Sequence, residues 1–172
     1  MPTTDLGVLT GEVLLFGGPV SNLHATEALI GVARSRGIPP ERMICTGDVA
    51  AYCAHPRQTV ARIMALGCPV VQGNCEQQLA EEAADCGCGF AEGSDCSVLS
   101  GAWYAHAARQ VTAGQRAWMA TRPARIVFSH AGRRVAVIHG GATAMNAFLW
   151  EVTHDAVLAA EIAALRGQVG PG

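Results

Sequence analysis

Three polar residues stand at the ends of short apolar runs, and their types could do chemistry together. Met43-Ile44-Cys45 leads into Gly47-Asp48, Pro69-Val70-Val71 into Gly73-Asn74, and Val135-Ala136-Val137-Ile138 into His139-Gly140. Asp and Asn side chains both offer oxygen to a divalent metal ion. In an open α/β sheet the carboxyl ends of the strands line the ligand crevice, so Asp48 and Asn74 are expected side by side there. Each residue also has a purely structural use: Asp48 can cap a turn, Asn74 can cap a helix, and His139 can be a satisfied core histidine.

Cys75 adds a second chemistry. It is predicted at a helix N-terminus, a position that lowers a thiol's pKa, and a Cys75-His139-Asp48 nucleophilic site is the alternative this opens. The stretch DCGCGFAEGSDC holds Cys86, Cys88 and Cys96. Three cysteines without a fourth ligand make a weak zinc set, and free thiols in a loop are the expected state. His24, His55, His106, His130 and His154 follow no ligand spacing. Gly17-Gly18-Pro19 lacks the G-x-G-x-x-G spacing, and Pro19 removes an amide that a phosphate would need, which sets a dinucleotide site aside.

The elements that must position these residues follow from pattern. Residues 12–16, EVLLF, read as a buried strand. Asn22 is a fair N-cap for a helix to about Arg36, stopped by Gly37. Pro39-Pro40 forces an extended turn before a strand at 43–46, so strand, helix and strand form a parallel pair with a right-handed crossover. Pro56 suits the first position of the next helix, with Val60, Ile63, Met64 and Gly67 facing inward. A strand at 69–72 follows. Asn74 then caps a helix from Cys75 to about Ala84, with Gln77 at the capping-box position and Glu76 serving only the helix dipole.

Beyond the cysteine-rich loop, a helix is expected over 96–110, carrying Leu99, Trp103 and His106, and a shorter one over 115–120. ARIVFSH and RRVAVIHGG read as a hairpin turning at Ala131-Gly132. A last helix spans His154 to Arg166, with Leu158, Ile162 and Leu165 on one face and Gly167 as its stop, and the QVGPG tail is expected to be disordered. Trp103-Tyr104 and Phe148-Leu149-Trp150 are expected in the core; exposed, either would mark a surface for a homo-oligomer.

Composition sets the outer bounds. The 172 residues, 50% hydrophobic and 15% charged, suit one folded α/β domain over 1–172. The net charge of -2 and the lack of a basic cluster exclude nucleic acid and anionic membrane as main partners. The first residues lack the basic flank and apolar length of a signal or a span, so a cytoplasmic protein is expected. Seven cysteines, an odd number, are then expected to be reduced rather than bridged.

The ordered series Gly47-Asp48, Gly73-Asn74 and His139-Gly140 resembles the calcineurin-like metallophosphoesterases, especially the small bacterial type. SNLHATEAL at 21–29 is similar to that family's helix start, and GDVAAYCAHP to its GD-x-V-x-Y-G-x-x-P stretch. The resemblance covers roughly residues 12–150. It implies an α/β/β/α sandwich of mixed sheets with helices on the outer faces. It implies Asp48, Asn74 and His139 as metal ligands and Asn22 as a substrate contact. Cys75 replaces the family's catalytic histidine as a proton donor to the leaving group. Departures are as plain. Gly18 and Val20 stand where the family has the Asp and His of its first metal, and no closing Gly-His-x-His occurs, so the domain is expected to lack its C-terminal strands. The implied function is therefore hydrolysis of a small phosphoester or phosphoprotein at a reduced site holding about one divalent transition metal, Mn, Fe or Zn. The alternative is a catalytically inactive relative acting as a binding or regulatory module.

Overall fold

A computed structural model describes residues 2–169. The strands are β1 (Thr3–Val8), β2 (Leu14–Phe16), β3 (Met43–Cys45), β4 (Arg125–His130) and β5 (Arg133–Ile138). The helices are α1 (Leu23–Ser35), α2 (Pro56–Leu66), α3 (Asn74–Ala80), α4 (Asp95–Gln110), α5 (Ala113–Ala120) and α6 (Asp155–Val169). Two small sheets result. β2 and β3 pair in parallel, and the other sheet runs β1-β4-β5, parallel then antiparallel.

Alternation along the strands builds the layers. In β3, Met43 and Cys45 point into a core shared with Ile30 and Ala33 of α1 and Val60 and Ile63 of α2. Ile44 between them points the other way, onto Ile126, Phe128 and Val137 of the three-stranded sheet. Val70 and Val71 repeat that division. On the far side of the three-stranded sheet, Arg125 of β4 bonds Gln168 of α6. The order of layers is thus helices, sheet, sheet, helix, a metallophosphoesterase-like α/β/β/α sandwich.

Several expectations are corrected. The strand at 69–72 is one bridge, Cys45 to Val70. Pro69 has no N–H to donate, and the Gln72 N–H turns away to the Pro123 carbonyl at 2.8 Å. α3 starts at Asn74 with Gly73 as its N-cap, and it ends at Ala80 rather than 84, where Glu82 has a left-handed φ of +54°. Gly167 does not stop α6, which continues to Val169; the rest of the tail lies outside the described residues. β1 was not foreseen. On α4 the inward residues are Tyr104 and Ala107, while Leu99 is exposed. Phe148, Leu149 and Trp150 are exposed rather than in the core.

Asn22 caps α1, its Oδ1 accepting from the Ala25 N–H at 3.0 Å. Replacing Asn22 by Ala should cost about 1 kcal/mol of stability, with Ser largely restoring it, as read by urea unfolding.

Candidate active site

The loop after β3 and the start of α3 are joined by one buried carboxylate. Glu76 is fully buried. Its Oε1 accepts from the N–H groups of Val49 at 2.8 Å and Ala50 at 3.3 Å. Its Oε2 accepts from Asp48 N–H at 2.8 Å and Gly73 N–H at 3.0 Å. Burial, and then the nearby Asp48 charge, raise the Glu76 carboxyl above its ordinary value, and the backbone donors pull against them. Sequence reasoning had given Glu76 only a dipole role. The available signal was its place three residues after Gly73, the capping-box position counted from a glycine N-cap.

Two glycines let this junction close. Gly47 has φ +99°, and a Cβ on it would meet the Gly73 nitrogen at 2.8 Å and His139 Nδ1 at 3.0 Å. A Cβ on Gly73 would meet Asp48 Oδ1 at 2.4 Å and Glu76 Oε2 at 2.8 Å. Asp48 itself holds a left-handed φ of +52°, tolerable for an aspartate and fixed by the bond from its N–H to Glu76.

Three acceptor atoms converge on this frame. His139 Nδ1 lies 2.7 Å from the Thr46 carbonyl oxygen, which can only accept, so Nδ1 carries the proton. Nε2 therefore faces Asn74 Oδ1 at 3.1 Å and Asp48 Oδ2 at 3.5 Å. Asn74 is oriented because its Nδ2 donates to the Cys86 carbonyl at 2.8 Å. Three lone-pair atoms with no hydrogen between them call for a positive charge, either a second proton on His139 or a metal ion. Ligand bonds of about 2.0–2.2 Å put neighbouring ligands on the order of 3.0–3.5 Å apart, which is the spacing of His139 Nε2 from each of the two oxygens, so these pairs fit a cation. Among the described residues no three His, Cys, Asp or Glu side chains form a metal-holding group. The third donor at this place is an amide.

Asp48, Asn74 and His139 line one cavity of about 340 Å³, together with Thr46, Tyr52 and Phe148. Cys75 does not line it. Its thiol is fully buried, and burial followed by the Asp48 and Glu76 charges pushes its pKa up, opposite to the lowering expected at a helix N-terminus. Asn22 lines a separate cavity with Gly17 and Gly18. Cys86 and Cys88 are bridged rather than free, which closes the turn that holds the Asn74 amide. Cys53 and Cys96 are free and exposed.

The segment that would carry a first metal is laced to the Asp48 loop by backbone bonds, Val20 N–H to Asp48 O at 3.0 Å and Ser21 N–H to Val49 O at 2.8 Å. A Cβ on Gly18 would lie 3.0 Å from that same Asp48 oxygen and 3.1 Å from Val20 Cγ1. Restoring an Asp at 18 and a His at 20 by substitution would therefore require the loop to shift.

The fold is that of the metallophosphoesterases. A metallophosphoesterase from Sphaerobacter thermophilus superposes with a TM-score of 0.57 at 20% identity, covering 88% of this chain and 55% of its own. The hypothetical protein PH1004 from Pyrococcus horikoshii OT3 gives a TM-score of 0.68 at 16% identity over 90% of this chain and 65% of its own. An unconfirmed diadenosine tetraphosphatase gives 0.56 at 19% identity over 81% and 55%. The chain thus spans a little over half to two thirds of the length of these structures. No family model and no curated protein matches it. No helix among the described residues is long and apolar enough to cross a membrane.

Two outcomes follow. Glu76→Gln places an amide N–H₂ against backbone donors and should lower stability by about 3 kcal/mol in urea unfolding. Under native, non-reducing conditions a thiol reagent should label Cys53 and Cys96 quickly, and Cys45, Cys68 and Cys75 only on unfolding.

Proposed function

We propose that this chain hydrolyses a phosphomonoester or phosphodiester at a single divalent metal held by Asp48, Asn74 and His139. The observation that carries the reading is the convergence of three acceptor atoms, 3.1–3.5 Å apart from His139 Nε2, in one open cavity. A divalent ion bound there would supply positive charge to phosphoryl oxygens and acidify water. The chain's own side chains do the rest. Thr46 fixes the His139 tautomer, the Cys86 carbonyl aims the Asn74 oxygen, and Glu76 holds the loop that carries Asp48. No arginine lines the cavity, and the sequence contains no lysine, so the charge that attracts phosphate has to arrive with the metal.

A second reading has its own support. Gly18 and Val20 offer no ligand, and the loop that carries them is tied down by Asp48 and Val49. A relative that keeps the fold and binds without turnover would show that pattern.

Elemental analysis of protein purified without an affinity tag tests the first reading. About one transition metal per chain is expected, lost in Asp48→Ala. Phosphoesterase turnover should fall roughly 100-fold or more in Asp48→Ala and in His139→Ala. No bound metal, or metal that persists in Asp48→Ala, would support the binding module.

A further inference from the structure

The wall of the same cavity is aromatic, and the fold does not account for it. The chain has nine aromatic residues, three Trp, two Tyr and four Phe. Tyr52 and Phe148 line the cavity. Trp103 packs edge-on against Tyr52 at 5.0 Å. Trp150 lies parallel to Phe148 at 5.7 Å, and Phe90 is inclined 26° to it at 6.0 Å. Two of the nine are therefore at the opening, and three more pack against them.

Phe90 and Trp103 are partly buried against the core, and the other three rings are wet. Tyr52 is 48% exposed, Phe148 53% and Trp150 63%. For Phe148 and Trp150, burial of apolar surface is not what places them, since the polar bonds of their loop do. Glu161 of α6 accepts from Ala142 N–H at 2.5 Å and from Thr143 N–H at 3.1 Å. Asn146 donates to the Gly87 carbonyl at 2.9 Å, and Trp150 N–H to Thr153 Oγ1 at 2.8 Å. A loop held by its backbone, with clustered rings left in water beside three converging ligand atoms, has the build of a ligand wall.

Resting on the phosphoesterase reading, we propose that Tyr52 and Phe148 form a subsite for a planar aromatic group of the ester. The substrate class is then aryl or nucleoside phosphates rather than alkyl or sugar phosphates. The cavity floor carries the Asp48 carboxylate and no arginine, so contact with the rings is the affinity that this chain supplies without help from a cation.

Binding separates this idea from turnover. Adenosine, phenyl phosphate, adenosine monophosphate and glycerol phosphate are titrated into the protein as purified. Tryptophan fluorescence is followed, with Trp150→Phe to assign the reporter. Adenosine should quench Trp150, although it has no phosphate. Phe148→Leu, a substitution at an exposed site, should weaken adenosine and both planar phosphates roughly tenfold and lower their preference over glycerol phosphate. Equal binding of planar and alkyl esters, or no effect of Phe148→Leu, overturns the subsite even if esters are hydrolysed. Planar ligands that bind and are never hydrolysed leave the subsite standing and sink the phosphoesterase reading. Trp150 fluorescence that changes with protein concentration, with a dimer in sedimentation, also overturns it, by showing that a second copy covers the rings. The relative response to phenyl phosphate and adenosine monophosphate decides which planar group is preferred.

Discussion

The site depends on a carboxylate that faces no solvent. Glu76 gathers the amides of Asp48, Val49, Ala50 and Gly73, and so joins two loops separated by more than twenty residues of chain. Its desolvation is unfavourable, and four N–H donors offset it. Without them the backbone of the left-handed turn at Asp48 would keep only its bonds from Val20 and Ser21, and it would no longer be tied to the start of α3. The interaction is long in sequence and short in space. The loop after β3 and the N-terminus of α3 are therefore stable only together.

Around that centre each donor is set by a group that touches no ligand. Thr46 and Cys86 contribute carbonyls, which leave one choice of tautomer for His139 and one orientation for Asn74. Gly47 and Gly73 contribute the absence of side chains at a contact where a Cβ on either would collide. Metallophosphoesterase-fold proteins have metal as their common chemistry. Here Gly18 and Val20 offer no ligand side chain, and the segment around them is joined by backbone bonds to Asp48 and Val49.

Much of this was legible in the chain, and the parts that were not share a cause. The glycine-then-polar ending of two apolar runs placed Asp48 and Asn74 side by side, because strand ends in a parallel arrangement share an edge. His139 precedes its glycine on a strand of the other sheet, antiparallel to β4, and only the family resemblance joined it to them. Asn22 as a cap and Pro56 at a first helical position are local rules that held, whereas Asn74 as a cap and Gly167 as a stop did not. Glu76 was missed because its partners lie 26–28 residues away, and a glycine N-cap has no side chain to advertise the capping box. β1 was missed because its Thr-Thr-Asp-Leu-Gly-Val is mostly exposed and its pairing partner lies some 120 residues on. The rings at 148–150 were assigned inward on hydrophobicity alone, whereas the polar bonds of their loop decide where they point.

The Glu161 contact separates two parts of one cavity by how firmly they are held. The floor is anchored in the buried junction between β3 and α3, and it loosens only when the core does. The Phe148 side of the wall is tied to α6, much of whose surface faces water, through a carboxylate at the 141–143 turn. Local unfolding free energies follow such differences in burial. Loosening of α6 would therefore release the Phe148 side of the mouth alone, while Tyr52 and the ligand atoms beneath keep their places.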